Sequence, residues 1–381
     1  MVRFLHTGDW QLGMTRRFLS AEAQARFAAA RIDALRSIGR VVAERDAAFV
    51  VVAGDVFESN HLDRQVVVRA LEALAEVPVD VYLLPGNHDP LDAASVYRSP
   101  AFTGHVPPNV AVLRDAAPVA VAPGVELIGA PWASKRPLED LVGLACADLE
   151  SSGDMIRVLV GHGAVDRGAP DPDDPALIGL DALEDAVRRG CIQYVALGDR
   201  HSCTEIGGTG RVWYAGAPEP TDFDETDPGK VLVVDCDAGR CEVTAVQVGT
   251  WRFVRHHTDL AGSADLDELE AWLAGQPGKD RTVLRLSFVG TLPLRDAARL
   301  DALLADAADL FAAAGTWDNY SDLAVLPDDA DFADLDLGGF ARDTADELRT
   351  LASRAGRDAG TARGALALLY RLSAPGRGNG G

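Results

Sequence analysis

The sequence predicts an α/β protein. Apolar, β-branched runs alternate with segments of helical periodicity through residues 1–200, and five of those runs end in short polar clusters. Several clusters are introduced by a glycine that lets the backbone turn tightly. A chemical observation joins the two structural ones: each cluster offers oxygen or imidazole donors, and none presents a nucleophilic serine or cysteine. The stretch that organises the rest is Leu83-Leu84-Pro85-Gly86-Asn87-His88-Asp89. Val79 to Leu84 reads as a buried strand, and Pro85 and Gly86 force a turn that releases an amide, an imidazole and a carboxylate together. In α/β proteins ligands bind at such carboxyl ends.

The elements follow in order. Val2 to His6 is a strand that runs into a loop holding Asp9 and Gln11. A helix is expected from about Ser20 to Arg45, where Phe27, Ala30, Ala34, Ile38 and Val41 recur at three and four and Ser20 can cap the start. Its other face carries Arg26, Arg31, Arg36 and Arg40, readable as a solvated face or as a contact to a phosphate backbone. Phe49 to Ala53 is a β-branched strand ending in Gly54-Asp55. A helix from about Asp63 to Ala75 leads to the Val79 strand. Shorter strands are expected at Val110 to Leu113 and Val125 to Gly129, then a helix marked by leucines 138, 141 and 144 after Pro137. Ile156 to Val160 ends in Gly161-His162, an irregular Asp/Pro-rich segment covers Asp166 to Pro175, and Ile192 to Leu197 ends in Gly198-Asp199-Arg200-His201.

Composition sets the bounds. Hydrophobic residues at 48% and charged ones at 25% are ordinary for a globular chain with a good core. A formal net charge of −22 excludes a general nucleic-acid coat, so any nucleic-acid role must rest on a local basic patch or on metal ions. No apolar run approaches bilayer-spanning length, and a chain that opens directly on a strand is expected to carry no signal peptide. Five scattered cysteines fit a reducing cytoplasm better than a disulfide framework, and a cytoplasmic location is expected. Cys236 and Cys241 flank a turn with no second pair to complete a zinc site, and are read as small residues on neighbouring strands.

The five strand ends carry Asp9, Asp55, Asn87-His88, His162 and Asp199 with His201. Carboxylates, a carboxamide and imidazoles suit hard or borderline divalent ions such as Mn²⁺, Mg²⁺, Fe²⁺ or Zn²⁺. So many donors exceed the needs of one ion, which predicts two ions and a bridging carboxylate. Centres of that kind serve phosphoester hydrolysis, where the ions activate water and neutralise the phosphate.

Asp9-Trp10-Gln11, Gly54-Asp55, Gly86-Asn87-His88-Asp89, Gly161-His162 and Gly198-Asp199-Arg200-His201 resemble, in order and spacing, the motifs of calcineurin-like metallophosphoesterases. Phe4 to Trp10, Tyr194 to Gly198, Trp213 to Glu219 and Phe223-Asp224-Glu225 are similar to the SbcD-type DNA repair exonuclease branch. The resemblance covers residues 1 to 252 well and the remainder loosely. It implies a four-layer α/β/β/α metallophosphoesterase sandwich with a small C-terminal α/β capping domain, and a metal-dependent DNA phosphodiesterase activity. Matching positions would make Asp55 the bridge; Asp9, Gln11 and His201 would complete one ion's site, and Asn87, His162 and Asp199 the other's. His88 would be catalytic, beside the scissile phosphate. Gln11 stands where a histidine is usual, and Asp199 where the pattern has the first histidine of Gly-His-X-His. Both departures enrich the centre in oxygen and favour Mn²⁺ or Mg²⁺ over Zn²⁺.

Beyond Trp251 the pattern changes. His256-His257 would point to opposite faces of a strand, are poor joint ligands, and are read as linker residues. A helix near Leu266 to Leu273, a strand at Thr282 to Phe288, a helix through Leu300, Leu303, Ala307 and Leu310 and a strand at Leu323 to Leu326 make a small α/β appendage. The expected division is a nuclease domain over 1–252, a capping domain over 253–340, C-terminal helices over 341–374 and a disordered tail over 375–381. Ala362, Leu366, Leu369 and Tyr370 form an apolar stripe, either packed on its own domain or docking the SbcC-type ATPase subunit that the resemblance implies as partner. The resemblance also implies DNA as substrate and a homodimer. Two other classes stay open: a small-nucleotide phosphatase or phosphodiesterase, and a weakly active DNA-binding subunit.

Overall fold

The computed structural model describes residues 1–167, 169, 171–326, 339–352, 359, 361–362, 364–366 and 368–369. The chain divides into two units, one of Met1–Arg17 with Gln24–Trp251 and one of Phe18–Ala23 with the chain from Arg252 onward.

The first unit is built on two six-stranded sheets. Four parallel strands form the body of the first sheet: β1 (Val2–Thr7), β2 (Phe49–Val52), β3 (Asp80–Leu83) and β4 (Val110–Val112). β11 (Lys230–Cys236) returns antiparallel on the free side of β1, and β12 (Cys241–Gln247) pairs outside it. The second sheet has β6 (Val125–Gly129), β7 (Ile156–His162), β8 (Tyr194–Gly198) and β10 (Val212–Tyr214) in parallel, edged antiparallel by β5 (Val119–Ala122) and β9 (Thr204–Ile206).

Strand alternation explains the layers. Along β2, Phe49 and Val51 point one way and Val50 and Val52 the other, and all four are fully buried. Phe49 and Val51 join Phe4 and Tyr82 against Leu127, Val158, Val160, Tyr194 and Ala196 of the second sheet. Phe4 stacks on Phe49 at 5.0 Å and meets the edge of Tyr194 at 5.5 Å, so one ring ties both sheets. Val50 and Val52 instead meet Leu35, Ile38 and Val42 of α1 (Ala21–Arg45) and Leu71 and Leu74 of α2 (Arg64–Ala75). The far face of the second sheet packs Ile128, Leu159, Val195 and Leu197 under α4 (Leu141–Ala147) and α5 (Leu180–Arg188). α3 (Pro100–Thr103) is a single turn. The result is an α/β/β/α sandwich.

Several expectations need correction. Arg31 is not on a solvated face of α1: it is 2% exposed and donates to the carbonyls of Trp10 and Pro220 at 2.9 and 3.0 Å. Arg36, by contrast, pairs on the surface with Glu76 and Asp33. The helix expected after Pro137 starts later, because Asp140 caps it by accepting from Gly143 N at 2.7 Å; Val142 and Cys146 are its buried residues, and Leu138 and Leu144 are exposed. α5 is an addition to the expected elements. Cys236 and Cys241 do lie opposite each other on neighbouring strands, and they are joined as a disulfide; Cys146, Cys191 and Cys203 are free.

The second unit is a parallel sheet with β14 (Thr282–Pro293) at its centre, flanked by β13 (Arg252–Leu260) on one side and by β15 (Ala313–Thr316), then β16 (Asp322–Leu326), on the other. α6 (Ser263–Gly275) and α7 (Leu294–Leu310) cover one face through Leu266, Leu269 and Leu300 on Leu284, Leu286 and Phe288. His256 and His257 are strand residues of β13 and not a linker. His256 stacks on Trp272 at 3.7 Å, and His257 Nδ1 lies 2.9 Å from Ser287 Oγ, so they do face opposite ways. Ala362 and Leu366 pack with Ala345 and Ala352 of α8 (Phe340–Ala352). Tyr370, the Asp-rich stretch 328–336 and the tail beyond 372 lie outside the described residues. Among those described, no helix is long and apolar enough to cross a membrane.

Arg31 yields a stability prediction. Arg31→Met leaves two buried carbonyls without a donor and should cost about 2–4 kcal/mol in urea unfolding. Arg40→Ala, on the exposed face, should stay within about 0.5 kcal/mol of the parent.

Candidate metal centre

The loops after β1 and β2 continue to pair beyond the strands themselves. Asp9 N donates to Gly54 O at 3.0 Å, Gln11 N to Asp55 O at 2.9 Å and Leu12 N to Val56 O at 3.0 Å. That pairing sets Asp9 and Asp55 side by side, 0% and 2% exposed. It also strains the chain. Among the described residues six non-glycines have positive φ, and four of them are Asp9 (52°), Gln11 (43°), Asp55 (52°) and Asp199 (98°). Such conformations cost about 1–3 kcal/mol each and persist where surrounding structure imposes them, characteristically at functional sites.

The β3 end is held by its last residue. Asp89 is buried and accepts from Gly86 N at 2.8 Å, Phe57 N at 2.9 Å and Tyr97 Oη at 2.7 Å, closing the turn that presents Asn87 and His88. Gly86 is required here, since a Cβ would come within 2.2 Å of Asp55 Oδ1. His88 N donates to the same oxygen at 2.9 Å.

From the second sheet comes His162, 1% exposed at the end of β7. Its Nδ1 lies 2.9 Å from Ala53 O. A carbonyl only accepts, so Nδ1 carries the proton and Nε2 faces the cluster: 2.8 Å from the Asn87 amide, 3.5 Å from Asp55 Oδ1 and 3.8 Å from Asp199 Oδ1. Gly54, at φ +87°, makes room for the imidazole; a Cβ there would lie 2.1 Å from Nδ1. When His162 Nε2 carries no proton, hydrogen bonding favours the Asn87 amide with its nitrogen toward Nε2 and Asp55, 3.1 Å from both carboxylate oxygens, so ligation through oxygen requires the amide to turn. Asp199 N donates to Asp9 Oδ1 and Oδ2 at 3.0 and 3.1 Å. His201 points its Nδ1 at Thr221 Oγ1, 2.7 Å, and Glu225 Oε1, 3.1 Å, leaving Nε2 3.0 Å from Gln11 Nε2.

The structure thus brings five of the seven expected ligands, Asp9, Asp55, Asn87, His162 and Asp199, into contact with one another; Gln11 joins them through its N–H to Asp55 O, and His201 through Gln11. Asp9, Asp55 and His162 each offer a ligand atom within 4.8 Å of the other two. The donor set fits a cation. Burial pushes Asp9 up to about 6, with His201 and His162 pulling it back. Burial alone would depress His162, but Asp55, Asp9 and Asp199 outweigh it and hold the ring at about 9. Buried anions call for a positive partner, and Gln11 Oε1 is buried with no hydrogen-bond partner among the described residues.

The model of the calcineurin-like phosphoesterase family matches residues 2–203. The chain belongs to that family. It is 28% identical over 274 residues to the SbcD component of the SbcCD nuclease of Escherichia coli K12, and equally to that of O157:H7. Those alignments cover 63% of this chain and 66% of the relatives' length. It is similar to the solved structures of TT1561 of Thermus thermophilus (10% identity, TM-score 0.43, 65% of this chain and 99% of that one) and a dimetal phosphatase from Danio rerio (12%, 0.37, 64% and 98%).

Within this phosphoesterase, three groups near the cluster were not among the expected site residues. Glu58 O accepts from His88 Nδ1 at 2.9 Å, which leaves His88 Nε2 as the nitrogen that faces the cluster, 3.9 Å from Asp55 Oδ2. Thr221 and Glu225 fix His201 in the same way, and Glu225 also accepts from Thr221 N at 2.9 Å. Only the Phe223-Asp224-Glu225 block hints at the last of these.

Metal uptake should release protons. His162 must be neutral to ligate, yet holds its proton up to about 9 in the metal-free protein. Calorimetric Mn²⁺ titrations at about pH 7.5, in buffers of different ionisation enthalpy, should show proton release that fades as pH rises past 9 and is reduced in His162→Asn.

Proposed function

We propose that this phosphoesterase is a metal-dependent phosphodiesterase that hydrolyses DNA through a two-metal centre. The observation that carries the reading is the convergence of Asp9, Gln11, Asp55, Asn87, His162, Asp199 and His201, with His88 beside them, at the strand ends of two facing sheets. The DNA substrate is supported by the likeness to the SbcCD nuclease subunit, and with it an SbcC-type ATPase as partner. We assign residues 1–252 to the nuclease domain, 253–340 to a cap, and 341–374 to the segment that meets the partner.

Asp55 is the bridging carboxylate in this reading. Asp9, Gln11 and His201 would hold one ion; Asn87, His162 and Asp199 would hold the other. The oxygen-rich set favours Mn²⁺, with Mg²⁺ or Fe²⁺ as alternatives. Bound ions supply charge neutralisation at the phosphate and acidify water. The chain's own residues do the rest. Asp89 and Gly86 hold the turn that aims Asn87 and His88. The Glu58 carbonyl fixes the His88 tautomer, so Nε2 is the atom that exchanges a proton with the leaving oxygen.

His88→Ala should lose about 10²–10⁴-fold in turnover while retaining metal by elemental analysis. Asp55→Ala should empty or scramble both positions, and Gln11→Ala should affect one at most. Equal single-ion losses in Asp55→Ala and Gln11→Ala would refute the bridge.

The two departures give a separate test. Asp9, Asp55 and Asp199 bring three negative charges; a set with histidines at 11 and 199 would bring two, leaving the centre more attractive to phosphate. DNA cleavage by the isolated chain should require Mn²⁺ at roughly millimolar concentration, and Gln11→His with Asp199→His should raise it. Saturation of the parent at micromolar Mn²⁺, or a folded double variant with lower activity, counts against the charge argument. Cleavage of chromogenic phosphate esters without any cleavage of DNA counts against the substrate.

A further inference from the structure

We propose that Arg31 is the positioning residue of one half of the centre: a single buried guanidinium holds Gln11 and His201 together, so that both could serve the same ion. That ion is the one which the two-metal reading gives to Asp9, Gln11 and His201, and the inference rests on that reading.

Arg31 belongs to α1, a helix outside the five strand ends. Its two terminal nitrogens reach two loops far apart in the chain: Nη1 donates to Trp10 O at 2.9 Å and Nη2 to Pro220 O at 3.0 Å. Each carbonyl belongs to the peptide that leads directly into a residue of the half-site. The Trp10 peptide precedes Gln11, and the Pro220 peptide precedes Thr221, whose Oγ1 lies 2.7 Å from His201 Nδ1. Glu225 ties the second arm, accepting from Thr221 N at 2.9 Å and lying 3.1 Å from His201 Nδ1. Arg16, farther along the Gln11 loop, donates to Thr221 O and braces the same arm. The arms meet at the centre, where Gln11 Nε2 lies 3.0 Å from His201 Nε2, and the buried Gln11 Oε1 is the oxygen left for an ion. The other three donors are held elsewhere. His162 Nδ1 is set on Ala53 O, Asp89 closes the turn that presents Asn87, and Asp199 N donates to Asp9.

The side chain suits the task. A guanidinium presents its donors as a rigid planar fork, so it fixes the separation of two carbonyls that it joins; an ammonium is a point charge without that spacing. The plane itself is held. Phe27 lies against it, with Cζ 4.6 Å from the ring centroid, and Met14 Sδ is 3.5 Å from Nη2. Burial lowers Arg31 to about 10, with Glu219 and Glu225 pulling it back, so the group is a cation at neutral pH. Glu225 is thus shared between the guanidinium and His201. Partners behind a ligating histidine set the orientation of its ring, and their loss is felt in metal affinity. Arg31 acts one step further back, through the peptides that carry those partners.

The test uses the full chain, first free of metal and then titrated with Mn²⁺. Arg31→Lys keeps the charge and loses the fork. Imidazole nitrogen NMR of the metal-free variant at fixed pH should show His201 altered and His162 unchanged. Mn²⁺ binding followed by electron paramagnetic resonance should show one ion weakened about 10–100-fold and the other held as in the parent. Arg157→Lys is the control. Arg157 also donates to two carbonyls, those of Glu150 and Cys191, at the end of β7 away from His162, and its loss should leave both ions in place. Should Arg31→Lys not fold, Arg31→Gln, with one donor nitrogen in place of the fork, serves instead. A folded variant with parent-like His201 signals and parent-like affinity for both ions overturns the positioning role. So does equal loss of both ions, or the same single-ion loss in Arg157→Lys. A parent that takes up a single ion removes the two-metal reading. In that case altered His201 signals in metal-free Arg31→Lys still sustain the positioning of His201, and unaltered ones overturn it.

Discussion

The hydrogen bond from His162 Nδ1 to the Ala53 carbonyl crosses from one sheet to the other, and the centre depends on it. It fixes the height of β7 against β2, and it fixes the tautomer that turns Nε2 toward Asp55, Asn87 and Asp199. Without a sheet-to-sheet tie at this level, five strand ends could come near one another and still present their side chains at different depths. The inter-sheet packing of Phe4, Phe49 and Tyr194 sets the spacing coarsely. A directed bond sets it to the tolerance that ligation needs. His6 reinforces the same junction, with Nε2 3.2 Å from Leu197 O just below Gly198 and Asp199. Burial lowers this imidazole to about 3, so it remains neutral and its contacts do not alter with physiological pH.

A cluster so built is costly in the absence of its ion. Asp9 and Asp55 are buried together, four of the donor residues hold left-handed backbone, and Gln11 Oε1 lacks a partner among the described residues. Each feature opposes folding by an amount of order 1–3 kcal/mol. The hydrophobic layers on both sides of each sheet overcome it, and the penalty keeps the donors poised. A divalent ion binds to groups already assembled, and relieves a repulsion that the fold has imposed.

Much of this was legible in the sequence, for identifiable reasons. Strands buried on both faces, such as Phe49–Val52, are continuously apolar, and a Gly-Asp or Gly-His exit is visible without knowing what lies opposite. What stayed hidden depends on distant partners. Arg31 sits at helical spacing with three other arginines, and only the carbonyls of Trp10 and Pro220 distinguish it from them. Glu58, Thr221 and Glu225 act on histidines far away in the chain. β9 and β10 are three residues each, too short for any period to emerge. Asp140 outcompeted Pro137 as a helix start because its carboxylate reaches a backbone N–H, and composition alone does not rank the two.

The place of β11 has a temporal consequence. β1 is enclosed in its sheet by a strand whose residues lie far along the chain, as Arg3 paired with Asp235 across 232 positions illustrates. During synthesis β1 emerges first, and its second hydrogen-bonding edge stays open until residues 230–236 leave the ribosome. Contacts of such long range slow folding and expose an apolar edge meanwhile. The strand that leads into Asp9 is therefore made before β11 and completed only by it. Assembly of the metal-binding loop is tied to translation of nearly the whole first unit.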